Sequence, residues 1–237
     1  MKIEILYSEI ANLYGEKTGI KYLQECLKDS AEFVFTSLND VPAFVNEPVS
    51  MIFMGPMTEN GQEIVIDKLS AYKERISLLI ESGTLFLCTG NAFEVFLSYI
   101  EKDDGTKIEG LNIFPGFYAK RRMFNRYNSL YLGEADSMKI VGYKAQFSQC
   151  YGDNSDCYFC KTVRGDGINP ESKLEGIRKN NFIGTYLLGP LLIINPDFTK
   201  YILRLIGAPE NIAFEKTAYE AYSVRLKEYE NPNLRFK

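Results

Sequence analysis

Histidine is absent from all 237 residues. That removes the side chain most often used as a general base near neutral pH, and the commonest zinc ligand. No apolar run reaches the ~18 residues that a helical membrane span requires. Positive charge is not in excess: 27 Lys and Arg stand against 31 Asp and Glu, a net charge of -4. A broad, non-specific affinity for nucleic acid is therefore not expected. No signal peptide, repeat, linker or low-complexity tract is read in the chain. The cysteines are Cys26, Cys88, Cys150, Cys157 and Cys160, an odd count. Reduced thiols and a cytoplasmic location are expected. Neither a metal nor a cofactor is expected, and neither nucleic acid nor membrane is an expected partner.

What is present is ordinary for a globular chain, with 46% hydrophobic and 24% charged residues. A chain of this length buries about 70–75% of its unfolded surface, so it needs no disulfide or metal staple. A single domain over residues 1–237 is the economical reading.

The first hundred residues alternate strand and helix patterns. Residues 2–8 (KIEILYS), 31–38, 49–55 (VSMIFMG) and 84–88 (TLFLC) read as strands, the last two as fully buried ones. Residues 15–30 carry Ile20, Leu23 and Leu27 at helical spacing, 59–82 form one long helical pattern, and 91–100 another helix. The order β-α-β-β-α-β-α predicts a mostly parallel sheet covered by helices on both faces. The middle third differs. An Asp104-Gly105 turn precedes several short aromatic segments over 111–165, which predict an antiparallel extension. Residues 180–189 read as a further strand. Asn195 and Pro196 start a helix, and 210–229 close the chain as an amphipathic helix with Phe214, Ala218, Tyr222 and Leu226 on one side.

Cys88 ends a buried strand just before a predicted helix, where open α/β sheets place their ligands. Two readings stand. A helix amino terminus would favour its thiolate and make it a nucleophile; equally, free cysteine is often a buried small hydrophobe. Cys157-Tyr-Phe-Cys160, with Cys150 upstream, has metal-like spacing but lacks a fourth ligand, so strand cysteines are the simpler reading. Lys120-Arg121-Arg122 and Arg126, with Phe124 and Tyr127 between them, form either a solvated loop edge or an anion pocket.

Five segments, in order, carry a wider resemblance: NLYGEKTGIKYLQ (12–24), IFMGPMTENGQE (52–63), LIESGTLFLCTGNAFEVF (79–96), DGTKIEGLNIFPGFY (104–118) and EGIRKNNFIGTYLLGPLLIINPDFTKYIL (175–203). Together they resemble the class I glutamine amidotransferases of the cobyric acid synthase type, most nearly the glutaminase subunits of lipid II isoglutaminyl synthase. The resemblance implies a flavodoxin-like, mostly parallel sheet. In an intact member a cysteine attacks the glutamine side-chain amide, a histidine shuttles the proton, and backbone N–H groups hold the oxyanion. Ammonia then passes to a Mur-ligase-like, ATP-dependent synthetase.

The chain departs from that pattern at each functional element. Set against the family's Cys-Gly-Gly-Tyr-Gln, Cys88 falls at the nucleophile and Thr89 beside it. Leu188 falls at the histidine. Gly55-Pro56-Met57 replaces three glycines, and a proline has no N–H to offer an oxyanion. Gly142-Tyr-Lys-Ala-Gln146 stands where the family reads GFENH. Cys88, Gly55, Gln62 and Arg126 are retained, and Arg126 matches an arginine assigned to glutamine binding. The expected function is thus a degenerate, non-hydrolytic amidotransferase-like subunit that binds or scaffolds a synthetase. The alternatives are an active Cys88-dependent glutaminase supplying ammonia for cell-wall or cobyric-acid-type amidation, and a small-molecule sensor built on Gly55, Gln62, Thr89 and Arg126.

Overall fold

The computed structural model describes all 237 residues. The chain runs β1 (Lys2–Leu6), α1 (Lys17–Leu27), β2 (Glu32–Thr36), α2 (Ala43–Asn46), β3 (Met51–Met54), α3 (Glu59–Ser70), α4 (Lys73–Glu81) and β4 (Leu85–Thr89). The middle third follows: β5 (Tyr99–Glu101), β6 (Lys107–Glu109), β7 (Tyr118–Arg121), β8 (Tyr127–Ala135), β9 (Met138–Gln146), β10 (Ser148–Tyr151), β11 (Cys160–Arg164) and β12 (Leu174–Glu175). The last part holds β13 (Ile177–Lys179), β14 (Phe182–Thr185), α5 (Leu191–Ile194), α6 (Pro196–Leu205) and α7 (Glu215–Glu230). No helix is long and apolar enough to cross a membrane.

Six strands form the main sheet in the order β13-β14-β4-β3-β1-β2. All pairs are parallel except β13 with β14. The buried strands are continuous apolar runs because both sheet faces are covered. Alternation splits them between two cores. Phe86 and Cys88 face α3, α4 and the middle third, whereas Leu85 and Leu87 face α1, α5 and α6. The chain leaves β1 for β2 at one edge, then returns to lay β3 on the other side of β1. That reversal opens a crevice at the carboxyl ends of β1, β3 and β4. The predicted antiparallel extension takes the form of two four-stranded sheets, β10-β7-β5-β6 and β12-β11-β8-β9, in which β5 and β7 alone run parallel.

Two element boundaries differ from the sequence expectation. The helix expected over 59–82 is two helices, because Tyr72 leaves helical geometry (φ -114°, ψ 12°) and packs edge-on against Phe44. The helix expected over 91–100 is a 3₁₀ segment, Gly90–Phe96, followed by β5. The carbonyls of Val95, Phe96 and Leu97 accept N–H groups from residues 111–114, which takes them away from a continuing helix. The closing helix α7 forms as expected but buries none of its residues, and Phe214 stands 73% exposed before it.

Candidate functional site

The crevice holds a cavity of about 180 Å³ between the loop after β1, the loop after β3, the start of α3 and the end of β9. Tyr14, Pro56, Met57, Asn91 and Gln146 contribute to its walls. Neither a thiol nor an imidazole lines it.

Cys88 is not at this cavity. It lies within β4, opposite Gly184 on one neighbour and Met54 on the other. It is fully buried in the apolar core, and burial pushes its thiol pKa up. The expectation of a thiolate favoured by a helix amino terminus is therefore corrected. The strand runs one residue past Cys88, and the side chain points into the sheet's packed face, so water and cation are both absent there.

The chain turns sharply two residues later. Gly90 has φ +61°, a left-handed conformation that side-chain-bearing residues rarely adopt. A Cβ placed on Gly90 would lie 2.5 Å from Pro56 Cβ and 3.3 Å from Leu188 Cδ2. The strand-to-helix bend, the loop after β3 and the segment after β14 thus converge on Gly90. Leu188 is held there by β9: its N–H donates to Tyr143 O at 2.9 Å, and its carbonyl accepts from Tyr143 N–H at 3.1 Å. Its side chain is 1% exposed.

The loop after β3 is closed from within. Asn91 Oδ1 accepts the Met57 N–H at 3.0 Å, and Asn91 Nδ2 donates to the Met57 carbonyl at 2.9 Å. Pro56 has no N–H to donate. No backbone donor of Pro56 or Met57 is left for a developing oxyanion. Gly55 is required for close packing rather than for a ligand, since a Cβ there would meet Ala11 O at 2.6 Å.

Other sequence-derived candidates scatter. Gln62 is fully buried beneath the cavity and donates to Asn91 O at 2.6 Å and to Glu94 at 2.9 Å. Thr89 is fully buried, beside Glu16. Arg126 is exposed and reaches Tyr14 Oη at 3.4 Å on the cavity rim. The basic cluster does not form an anion pocket. Arg121 turns inward to Gln62 and Glu63, Arg122 pairs with Glu101, and Lys120 lies over the Tyr151 ring. The strand geometry points alternate residues to opposite faces, which pulls such a cluster apart. Cys150 and Cys160 are buried, Cys157 is half-buried, and no three potential ligands converge to hold a metal.

Two of the buried acids, Glu16 and Glu94, lie beside this region and went unnoticed in the sequence. Glu16 is 2% exposed and accepts the Gly189 N–H at 2.8 Å. Burial outweighs the backbone N–H groups of Gly189 and Leu191 that face it and raises its pKa to about 7. Glu94 is fully buried, and accepts Tyr186 Oη–H at 2.6 Å, the Ser148 hydroxyl and Gln62; burial again raises its pKa.

No protein-family model matches the chain. It is 30% identical over 213 residues to the lipid II isoglutaminyl synthase (glutamine-hydrolyzing) subunit GatD of Staphylococcus aureus, covering 89% of this chain and 83% of that one. The same-named subunit of Streptococcus pneumoniae is 27% identical over 202 residues, covering 83% and 76%. Among solved structures, a glutamine amidotransferase superposes with a TM-score of 0.56 at 11% identity, covering 86% of this chain and 99% of that one. A second, from Thermotoga maritima, gives 0.51 at 10% identity over 94% and 92%. At those identities the solved structures speak for the fold alone, and the fold is the one glutamine amidotransferases share.

Proposed function

Because the chain belongs to the family of GatD subunits of lipid II isoglutaminyl synthase, we propose that it is a member that has lost glutamine hydrolysis and persists as a binding or scaffolding subunit. Its partner is an ATP-dependent, Mur-ligase-like synthetase in the cytoplasm, and the whole of 1–237 acts as one domain. The observation that carries this reading is the contact of Gly90 with Leu188 and Pro56. On this reading Gly90, rather than Cys88, stands at the nucleophile position, Leu188 at that of the base, and the Pro56-Met57 loop at that of the oxyanion donors. Glycine has no nucleophile to offer. Acid–base catalysis contributes about 10²–10⁴-fold and one oxyanion donor about 10²–10³-fold. Losing all of these at once leaves no useful rate. The burial of Cys88 argues against the alternative of a Cys88-dependent glutaminase.

Ammonia release from glutamine is the direct test. We expect none above the buffer background from the natural chain, and none from Leu188→His, which restores one group without the others. A rate of ~1 s⁻¹ or more from the natural chain would overturn the reading. Affinity purification from the native host should bring down an ATP-dependent ligase; recovery of this chain alone would count against the scaffold.

One observation favours a second role, small-molecule binding in the cavity. Gln146 is 6% exposed, and its Oε1 has no hydrogen-bond partner although its Nε2 donates to Ser148 O at 2.7 Å. A ligand N–H or O–H would satisfy it. Thermal stabilisation by glutamine or another amino acid, abolished in Gln146→Leu, would support this role; its absence across amino acids would dismiss it.

A further inference from the structure

The sheet β10-β7-β5-β6 buries one face only. Ile100, Ala119 and Cys150 point inward and are fully buried. The register sets two rows on the outer face. One reads Glu109, Tyr99, Tyr118, Tyr151 across the four strands, and the other Lys107, Glu101, Lys120, Gln149. The three tyrosines stack with centroids 5.0 and 5.6 Å apart and planes within 19°. Lys107 lies 4.0 Å from the outermost ring centroid, that of Tyr99. Ring faces are thus used up within the row, and the platform of open faces that would take a sugar or a base is missing. What the face presents is a rigid line of phenol edges beside a line of alternating charge.

We propose that this face is an isologous interface with a second copy of the chain. The argument is charge complementarity. A two-fold axis parallel to the strands preserves height along each strand and reverses strand order. It sets Glu101 opposite Lys120 of the second copy and Lys120 opposite its Glu101. The same axis sets Tyr118 against Tyr99 twice, and brings the Tyr151 hydroxyl to Glu109 twice. Each row is its own complement under that single operation, as an isologous contact requires. Facing sheets pack about 10 Å apart with strands nearly aligned, which this axis allows. Tyrosines supply contact area at small entropic cost, as at other interfaces. At the end of β7 the turn 122–126 adds Met123, 43% exposed, and Phe124, wholly exposed. That turn is fixed by Met123 N–H donating to Asp103 at 3.0 Å and by Arg122 donating to Glu101.

The test uses the full chain without any partner. Sedimentation velocity from ~1 to ~100 µM should show a concentration-dependent dimer. Lys120→Glu opposes like charges at both reciprocal pairs and should raise the dissociation constant at least ~10-fold, which corresponds to ~1.4 kcal/mol. Lys120→Gln, which removes the charge without opposing it, should weaken the dimer less than Lys120→Glu, and both variants should melt like the natural chain, which separates a lost interface from a damaged fold. A monomer throughout the range would overturn the proposal, as would a dimer indifferent to Lys120→Glu in a variant that melts like the natural chain.

Discussion

Glu16→Gln removes a carboxyl that the fold holds against its own ionisation. Glu16 sits beneath Leu188-Gly189, 2% exposed, and no cation is among the groups acting on it. Its pKa rises from 4.5 to about 7 because burial costs the ionised form more than the backbone N–H groups of Gly189 and Leu191 return. Between those two values the folded chain keeps a proton that the unfolded chain has released. The folded state then binds more protons, so stability falls as pH rises. The contribution is fully present below pH 4.5 and is lost as pH passes through about 7. At 1.36 kcal/mol per pH unit, the loss is about 3 kcal/mol. Glutamine cannot titrate. It keeps one oxygen for Gly189 N–H but exchanges the other for an amide NH₂, which cannot accept from Leu191, a cost of about 1 kcal/mol. The variant should therefore be less stable than the natural chain by about 1 kcal/mol at pH 4.5 and more stable by about 2 kcal/mol at pH 8.5. Urea denaturation at a series of pH values reads this directly, and titration of the other buried acids cancels in the difference. A Glu16→Gln difference that stays constant from pH 4.5 to 8.5 would refute the reasoning.

Thiol labelling at pH 7.5 should modify Cys26 and Cys157, both partly exposed, before Cys88, which should react only on the timescale of unfolding; prompt alkylation of Cys88, located by peptide mapping, would contradict its burial. Lys144→Met should cost about 3–5 kcal/mol, because Glu175, fully buried and paired with Lys144, would be left as an uncompensated charge. A loss below ~1 kcal/mol in chemical denaturation would show that the pair is not needed.

The sheet was legible because its signals are local. VSMIFMG and TLFLC are continuous apolar runs, and only strands covered on both faces tolerate them at that length. The helix ends were less so. Tyr72 breaks α3 from α4 by packing on Phe44, and residues 111–114 take the carbonyls of 95–97, both contacts made across many residues of sequence. The end of β4 was hard to place for a related reason. A strand end is fixed by which residue first leaves the extended conformation, and apolar content carries no such mark. Cys88 drew notice through its chemistry, whereas Gly90 is defined by a backbone angle that a sequence does not display. Taking Gly90 as the point of convergence makes the other departures consistent with one another. With no side chain there, Pro56 Cβ comes to 2.5 Å and Leu188 Cδ2 to 3.3 Å from where a Cβ would stand. Asn91 then bonds both polar groups of Met57. A cysteine at position 90 would collide with Pro56 unless the loop moved. The close packing at Gly90 and the closing of the loop from within are on this geometry a single structural state.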